Sequence, residues 1–450
     1  MEAFLSRKKR KLDEDSGAAP ATTGQKAGGD EDEESTDIKL AILASLHSDK
    51  DHSVLLDYLL AYDGSVEEAS KALSGHPSVP PKRNAVNGCQ SSLTMFAKAH
   101  TGDTPPQPTK KQMPKRGKTL HLYSPADIEA NTPCSIIHNF LPTERADALL
   151  QELLAEVPKF RKDTFQLFDR TVESPHTMRF YVDSFDEVKD QRSRYVYNGS
   201  YVPDVAQTTP EMLKVSGTVR EAVNKEIERR SRDFNPDGKK LKFQSPDEWV
   251  PNASFVNCYD GGKESVGYHT DQLTYLGPRA VIGSLSLGVA REFRVRRIVP
   301  PDADGKPVAD TQGQIAIHLP HNSLLVMHAA MQEEWKHAVA PAQAIDPHPL
   351  AGNKRINITY RCYKAYLHPD HTPRCKCKVP AVLRCVQRRA ATKGRYMWMC
   401  HSNYTPGQSG CGYFQWAEFD EDGRPAWAKD YKGNANLPAA AAASTSDPER

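Results

Sequence analysis

His269 and Asp271 stand two residues apart in the stretch 257–271, N-C-Y-D-G-G-K-E-S-V-G-Y-H-T-D, which is followed by the apolar run 280–289. On an extended backbone, side chains two apart leave the same face, so this imidazole and carboxylate can meet one metal ion. A His-x-Asp pair by itself is a weak signal. It gains weight from a further histidine on a later strand-like segment and from the alternating stretch 355–361, R-I-N-I-T-Y-R. Two imidazoles and one carboxylate leave coordination positions open, the donor set of a non-haem Fe(II) centre that takes a bidentate acid and O2. His318, His321, His328 and His337 all lie upstream of Arg355, and spacing alone does not choose among them.

Such ligands need rigid elements to hold them. Residues 126–129 and 143–157 read as helices, the second with Leu149, Leu150, Leu153 and Leu154 for a buried face. Period-two runs follow at 178–182, 253–257, 281–287, 292–296, 315–319, 323–328 and 355–361, separated by Gly, Pro and Asp turns. Many short strands of this kind predict a jelly roll, a double-stranded β-helix of two sheets, with helices packed outside. The fold class expected is mixed and multidomain: this jelly roll as catalytic domain, a small α-helical bundle before it and a small zinc finger after it.

The chain of 450 residues is long enough for two or three domains, yet with 38% hydrophobic residues it is too polar for one continuous core. Its net charge of +2 confines any nucleic-acid footprint to local patches. Nine cysteines, an odd number, with no apolar leader in residues 1–16, point to a reducing compartment and to free or metal-bound thiols. No apolar run approaches the roughly 18–20 residues of a membrane span, so a soluble protein with no membrane partner is expected.

Residues 118–367 resemble the AlkB family of Fe(II)- and 2-oxoglutarate-dependent dioxygenases, which repair alkylated nucleic-acid bases. The matching pieces occur in the family's order: F-V-N-C-Y, Y-H-T-D, S-L-S-L-G-V-A-R-E-F, L-P-H-N-S-L-L-V-M, W-K-H-A-V and R-I-N-I-T-Y-R. The resemblance implies iron ligands His269, Asp271 and His337, and contacts to 2-oxoglutarate from Asn257, Tyr259, Arg355, Thr359 and Arg361. The residue types agree. The distal carboxylate of the cosubstrate suits an arginine fork, and Arg355, Asn357, Thr359 and Arg361 share one strand face. The implied reaction consumes O2 and 2-oxoglutarate and releases the methyl carbon of 1-methyladenine or 3-methylcytosine as formaldehyde. A base in a duplex reaches such a pocket only when flipped out. Relatives acting on duplexes fill the gap with a wedge, for which Leu167 and Phe168, with Arg170 beside them, are the candidates here. Where well-known members carry an acid two residues after the iron-binding Asp, this chain has Leu273, which puts the base preference, and with it DNA against RNA, in question.

Four cysteines, Cys375, Cys377, Cys400 and Cys411, form one tight and one loose pair in a segment too small for its own core, a pattern suited to structural zinc. Residues 373–420 look like a GRF-type zinc finger, here with Gly394-Arg395-Tyr396, a family that binds single-stranded DNA. Lys378, Arg384, Arg388, Arg389, Lys393 and Arg395 are expected to attract phosphate, while Tyr396, Trp398, Phe414 and Trp416 are expected mainly in the finger's core. Cys385, in an apolar run, is expected as a bystander.

The N-terminal part reads as a recruitment arm. Residues 1–35 carry R-K-K-R-K at 7–11, a nuclear address, then an acidic run; this composition is expected to be disordered. Residues 36–75 have the helical periodicity of three short helices and resemble a ubiquitin-associated or CUE-type domain, implying ubiquitin as a partner. The linker 76–117 contains Q-S-S-L-T-M-F-A at 90–97, similar to a sliding-clamp-binding peptide. Residues 434–450 are expected as a disordered tail. The expectation is therefore a nuclear dioxygenase acting on DNA, single-stranded or duplex. Its rivals are an RNA or protein demethylase or hydroxylase of the same fold, and a non-catalytic DNA- or ubiquitin-binding adaptor.

Overall fold

The structure, a computed structural model, describes residues 43, 46, 47, 55, 66–74, 118–167, 170–183, 196–197, 200–202, 204–299 and 313–430. The chain divides into two compact units, Met1–Val86 and Asn87–Arg450. In the first, Leu43, Leu55 and Ala69 are fully buried and pack with Val66 and Leu73 of helix α1 (Val66–Leu73). Most of the three helices expected over 36–75 lie outside the described residues, as do the basic cluster at 7–11 and the clamp-like peptide at 90–97.

Two sheets dominate the second unit. The larger has seven strands in the order β2 (Cys134–Ile137), β14 (Ser323–Met327), β11 (Ile282–Gly288), β16 (Lys354–Arg361), β9 (Ala253–Asp260), β5 (Thr177–Val182) and β8 (Val205–Gln207). The smaller has five: β1 (Thr119–Leu122), β13 (Gln314–Leu319), β12 (Arg291–Arg297), β15 (Trp335–Val339) and β10 (Val266–His269). Two short hairpins join them, β3 (Thr164–Leu167) with β4 (Arg170–Glu173), and β6 (Val196–Tyr197) with β7 (Ser200–Tyr201). Helices α2 (Pro125–Asn131), α3 (Thr143–Glu156) and α4 (Pro210–Phe234) complete the frame, with the single turn α5 (Met331–Glu334) before β15.

The large sheet is buried on both faces, and its strands show why. Along β16, Ile356, Ile358 and Tyr360 pack outward with Leu149, Leu150 and Leu153 of α3 and Val215, Val219 and Val223 of α4. The alternate residues, Arg355, Asn357, Thr359 and Arg361, turn inward to a cavity. One strand thus anchors a helical layer with one face and builds the site with the other. The turn from β11 to β12 requires Gly288: its φ is +83°, and a Cβ there would stand 2.3 Å from the Lys354 carbonyl oxygen.

A third sheet, β17 (Val382–Cys385), β18 (Tyr396–Met399) and β19 (Phe414–Ala417), carries the cysteine segment. Its Leu383, Tyr396 and Trp398 join the same hydrophobic cluster as Phe180, Phe255, Phe293 and Ile317 of the two main sheets. The boundary near residue 370 is therefore no break in the core. Among the described residues, no helix is long and apolar enough to cross a membrane.

Candidate active site

Strands β10 and β15 run antiparallel, with His269 and His337 as direct cross-strand partners, their ring centroids 4.2 Å apart. Asp271 lies just beyond the end of β10. Donor atoms of His269, Asp271 and His337 all fall within 4.8 Å of one another, with His337 Nε2 at 3.6 Å from Asp271 Oδ2. His269 and Asp271 are each held from behind. His269 Nδ1 lies 2.8 Å from the Gly267 carbonyl, which fixes the ring and turns Nε2 toward the group. The backbone N–H of Asp271 donates to Gln332 Oε1 at 2.7 Å, and Gln332 Nε2 donates to Asp271 Oδ2 at 3.2 Å. Arg361 donates to the other carboxylate oxygen.

The loop from β9 into β10 is pinned by Arg291, which sequence reasoning missed. Its buried guanidinium donates to the carbonyls of Gly261, Gly262, Glu264 and Ala340, at 2.6–3.2 Å. A fork that satisfies four carbonyls from two strand ends sets where β10 starts.

Electrostatics suit a cation. Burial would raise the Asp271 carboxyl, but Arg361, with His337 and His269, holds it below the usual carboxylate range. Burial pushes His337 down to about 3, so its imidazole is the neutral form a metal needs. His337 Nδ1 is buried with no hydrogen-bond partner. Two imidazoles and a carboxylate converging on one point fit Fe(II).

Deeper in the cavity, Arg355 is 1% exposed; its Nη2 donates to Ser286 Oγ at 2.9 Å, while Nε and Nη1 have no partner. Burial lowers its pKa to about 10, so it stays charged at neutral pH. Two unsatisfied N–H groups on a buried guanidinium fit a carboxylate taken in bidentate fashion. Tyr259, the cross-strand partner of Arg355, lies under the guanidinium at 5.3 Å, and His176 stacks on Tyr259 at 4.8 Å. Asn357 donates to Ser284 Oγ and the Leu285 carbonyl, and Thr359 donates to Asn357 Oδ1. Asn257 faces Asn357 across β9 and β16. His269, Asp271, His337, Asn257, Tyr259, Arg355, Asn357, Thr359 and Arg361 all line one cavity of about 470 Å³.

Other histidines go elsewhere. His328 is buried, with Nε2 3.0 Å from Ser135 Oγ. His318 meets His121 at 3.0 Å on the small sheet, and His321 Nδ1 accepts from the Gly288 N–H. Leu273 is a buried core residue that does not line the cavity, so the acid-to-leucine change expected to bear on the base falls outside the pocket wall; Gln272 lines it instead. Of the wedge candidates, Phe168 and the side chains of Leu167 and Arg170 lie outside the described residues; the backbone places Leu167 opposite Arg170 at the end of the β3–β4 hairpin.

The sulfurs of Cys375, Cys377, Cys400 and Cys411 also lie within 4.8 Å of one another. Cys385 sits apart on β17, its thiol toward the Val386 carbonyl. The aromatics divide: Tyr396 and Trp398 are core, whereas Phe414 is 49% exposed and meets Trp416 edge to face at 4.9 Å, with Arg395 stacked over Trp416 at 3.8 Å. Putting all four in the core is therefore corrected: β19 is an edge strand, and Phe414 and Trp416 stay on its open side. Arg384 departs from the other basic residues of the segment, since it turns into the cavity with His401 and Tyr404.

A family profile described as the 2OG-Fe(II) oxygenase superfamily matches residues 133–361. Among curated proteins, alpha-ketoglutarate-dependent dioxygenase alkB homolog 3 of Mus musculus is 35% identical over 123 residues, 27% of this chain and 40% of the relative. The Homo sapiens protein of that name is 34% identical over 119 residues, covering 26% and 37%. DNA oxidative demethylase ALKBH2 of Mus musculus is 32% identical over 110 residues, covering 24% and 42%. The matched part spans less than half the length of each of these relatives.

Proposed function

The chain belongs to the 2OG-Fe(II) oxygenase superfamily, and from that premise we propose that it is a dioxygenase that oxidatively demethylates alkylated bases in DNA, of the 1-methyladenine and 3-methylcytosine type. The observation that carries this reading is one cavity holding, on opposed strands, a His269–Asp271–His337 group and a buried arginine with two free donors. His269, Asp271 and His337 would hold Fe(II), and Arg355 would take the distal carboxylate of 2-oxoglutarate, with Tyr259, Asn257, Asn357 and Thr359 lining its path. Iron with 2-oxoglutarate and O2 supplies the oxidation of the methyl carbon, which leaves as formaldehyde. The chain's own share is positioning. Gln332 and Arg361 keep the carboxylate ionised and aimed, and the Phe255 and Phe293 walls exclude water.

The DNA part of the reading rests on the relatives' printed activity and on the cavity's outer lining. Asp163 and Glu173 face it, acids suited to an N-methylated base, which is a cation. Lys336 is lowered by burial and by the nearby charges of Arg388 and Arg296, which marks a basic band running from the small sheet onto the cysteine segment, suited to phosphates. Structural zinc on the four cysteines, a GRF-type role in gripping single strands with Arg395 on its face, recruitment through ubiquitin and the clamp, and a nuclear location complete the proposal.

The test is formaldehyde release from single-stranded and duplex oligonucleotides carrying 1-methyladenine or 3-methylcytosine, with Fe(II) and 2-oxoglutarate and with Asp271→Ala as control. Demethylation by the natural chain and none by the variant is the expected result. Consumption of 2-oxoglutarate that no methylated DNA stimulates would instead move the substrate to another class.

A further inference from the structure

Three residues of the cysteine segment, Arg384, His401 and Tyr404, line the same cavity as the His269–Asp271–His337 group. We propose that this segment completes the substrate pocket: Arg384 grips a backbone phosphate of the nucleic-acid substrate, and the stacked His401–Tyr404 pair is the platform on which the extruded nucleotide packs. The inference rests on the demethylase reading and assigns to the segment a role at the reacting centre as well as any strand-holding on its outer face.

The segment is tied to the metal-ligand loops by hydrogen bonds. Leu383 N–H donates to Thr274 Oγ1 at 3.3 Å, three residues after Asp271. Gln387 donates at 2.9 Å to the carbonyl of Gln332, whose side chain holds Asp271. Tyr396 O–H donates to Glu333 Oε1 at 2.9 Å, next in chain to Gln332. With Leu383 and Trp398 in the shared core, β17 is a rigid mount, and Arg384 is the residue on it that turns to the cavity.

Arg384 donates from Nη2 to His401 Nε2 at 2.8 Å. Because arginine can only donate, that nitrogen of His401 carries no proton, and the ring is a neutral platform. His401 is 3% exposed and stacks on Tyr404 at 4.0 Å with planes 17° apart. Among the described residues, no carboxylate pairs with Arg384; the nearby groups that act on its charge are the phenols of Tyr404 and Tyr197. A partly buried guanidinium without an acid, on a cavity wall, is suited to an anion. The alkylated base is cationic and would be repelled, so the anion is the phosphate beside it. The short helix Ser402–Tyr404 also lies beside β3 of the hairpin.

The experiment uses the full chain loaded with iron and zinc. Arg384→Gln should raise KM for a single-stranded methylated oligonucleotide by about tenfold or more with kcat at saturation much less affected. The slope of log binding constant against log salt should fall by about 0.7, the share of one contact. Arg384→Lys should recover part of the loss. An oligonucleotide with a neutral methylphosphonate beside the lesion should cost the natural chain a similar factor and cost Arg384→Gln nothing further. Iron and zinc contents equal to the natural chain's exclude misfolding. A KM within twofold of the natural value, or penalties that simply multiply, overturns the phosphate grip while leaving the demethylase reading intact. If the natural chain turns over no methylated oligonucleotide, the demethylase reading itself fails.

Discussion

The His269–Asp271–His337 group and the four cysteines lie in one hydrophobic unit, and they are built in opposite ways. His269, Asp271 and His337 sit on or beside strands whose register is set by two large sheets and a core of Phe255, Phe293, Ile317 and their neighbours. The four cysteines sit in turns around three strands of four residues each, where little apolar surface can be buried without help. The first cluster inherits its geometry from the fold, whereas the second stands on short strands and the turns between them. What joins them is β17 and β18, whose Leu383, Tyr396 and Trp398 are buried with the catalytic core. The lesson is that a segment with the motif of a separable finger can be part of the active-site wall.

The largest effect is expected at the His269–Asp271–His337 group. His269→Ala should lower 2-oxoglutarate turnover by more than about 100-fold and abolish iron retention, while the urea midpoint barely moves, because the side chain is only half-buried. A large loss of stability would mean that this centre too is structural. Next in size, Trp398→Ala should destabilise the Asn87–Arg450 unit by about 3–5 kcal/mol. Denaturation followed by intrinsic fluorescence should still show one transition for the oxygenase and the cysteine segment; two transitions would separate them. Zinc removal by a chelator should act like Trp398→Ala, reducing both stability and turnover, whereas iron removal should affect turnover alone beyond its binding contribution.

A smaller effect is expected at Arg355. Arg355→Lys keeps the charge but loses the fork and should raise KM for 2-oxoglutarate about ten- to a hundredfold, read in steady-state kinetics. An unchanged KM would locate the distal carboxylate elsewhere. Smallest is Cys385→Ser, expected to change stability by less than about 1 kcal/mol and to leave one zinc per chain, measured by elemental analysis. Loss of zinc from this variant would redraw the cysteine set.

Much of the frame was legible because period-two strands announce themselves. Residues 253–257, 292–296, 315–319 and 355–361 read as strands and lie in β9, β12, β13 and β16. Helix α4 was not anticipated. Its buried Met212, Val215, Val219 and Val223 have helical spacing, but a heavily charged outer face between loop-like flanks hid it. The side chains named for metal and cosubstrate are brought to one cavity, yet Arg291, His176 and Gln332, which hold or flank them, carried no local signal. A carbonyl-binding arginine looks like any surface arginine until its partners are known.

The sequence by itself determined which residue types were available and which alternate faces they would take: the His-x-Asp pair, the β16 stripe, the paired cysteines. These depend on spacing of a few residues, which backbone geometry converts directly into direction. Spacing alone left His337 and His328 open and the family resemblance chose His337; the tertiary structure sets it opposite His269, turns Leu273 into the core, and brings Arg384 to the cavity of the His269–Asp271–His337 group. Sheet register and a shared core set those proximities, and neither is a property of any local stretch of sequence.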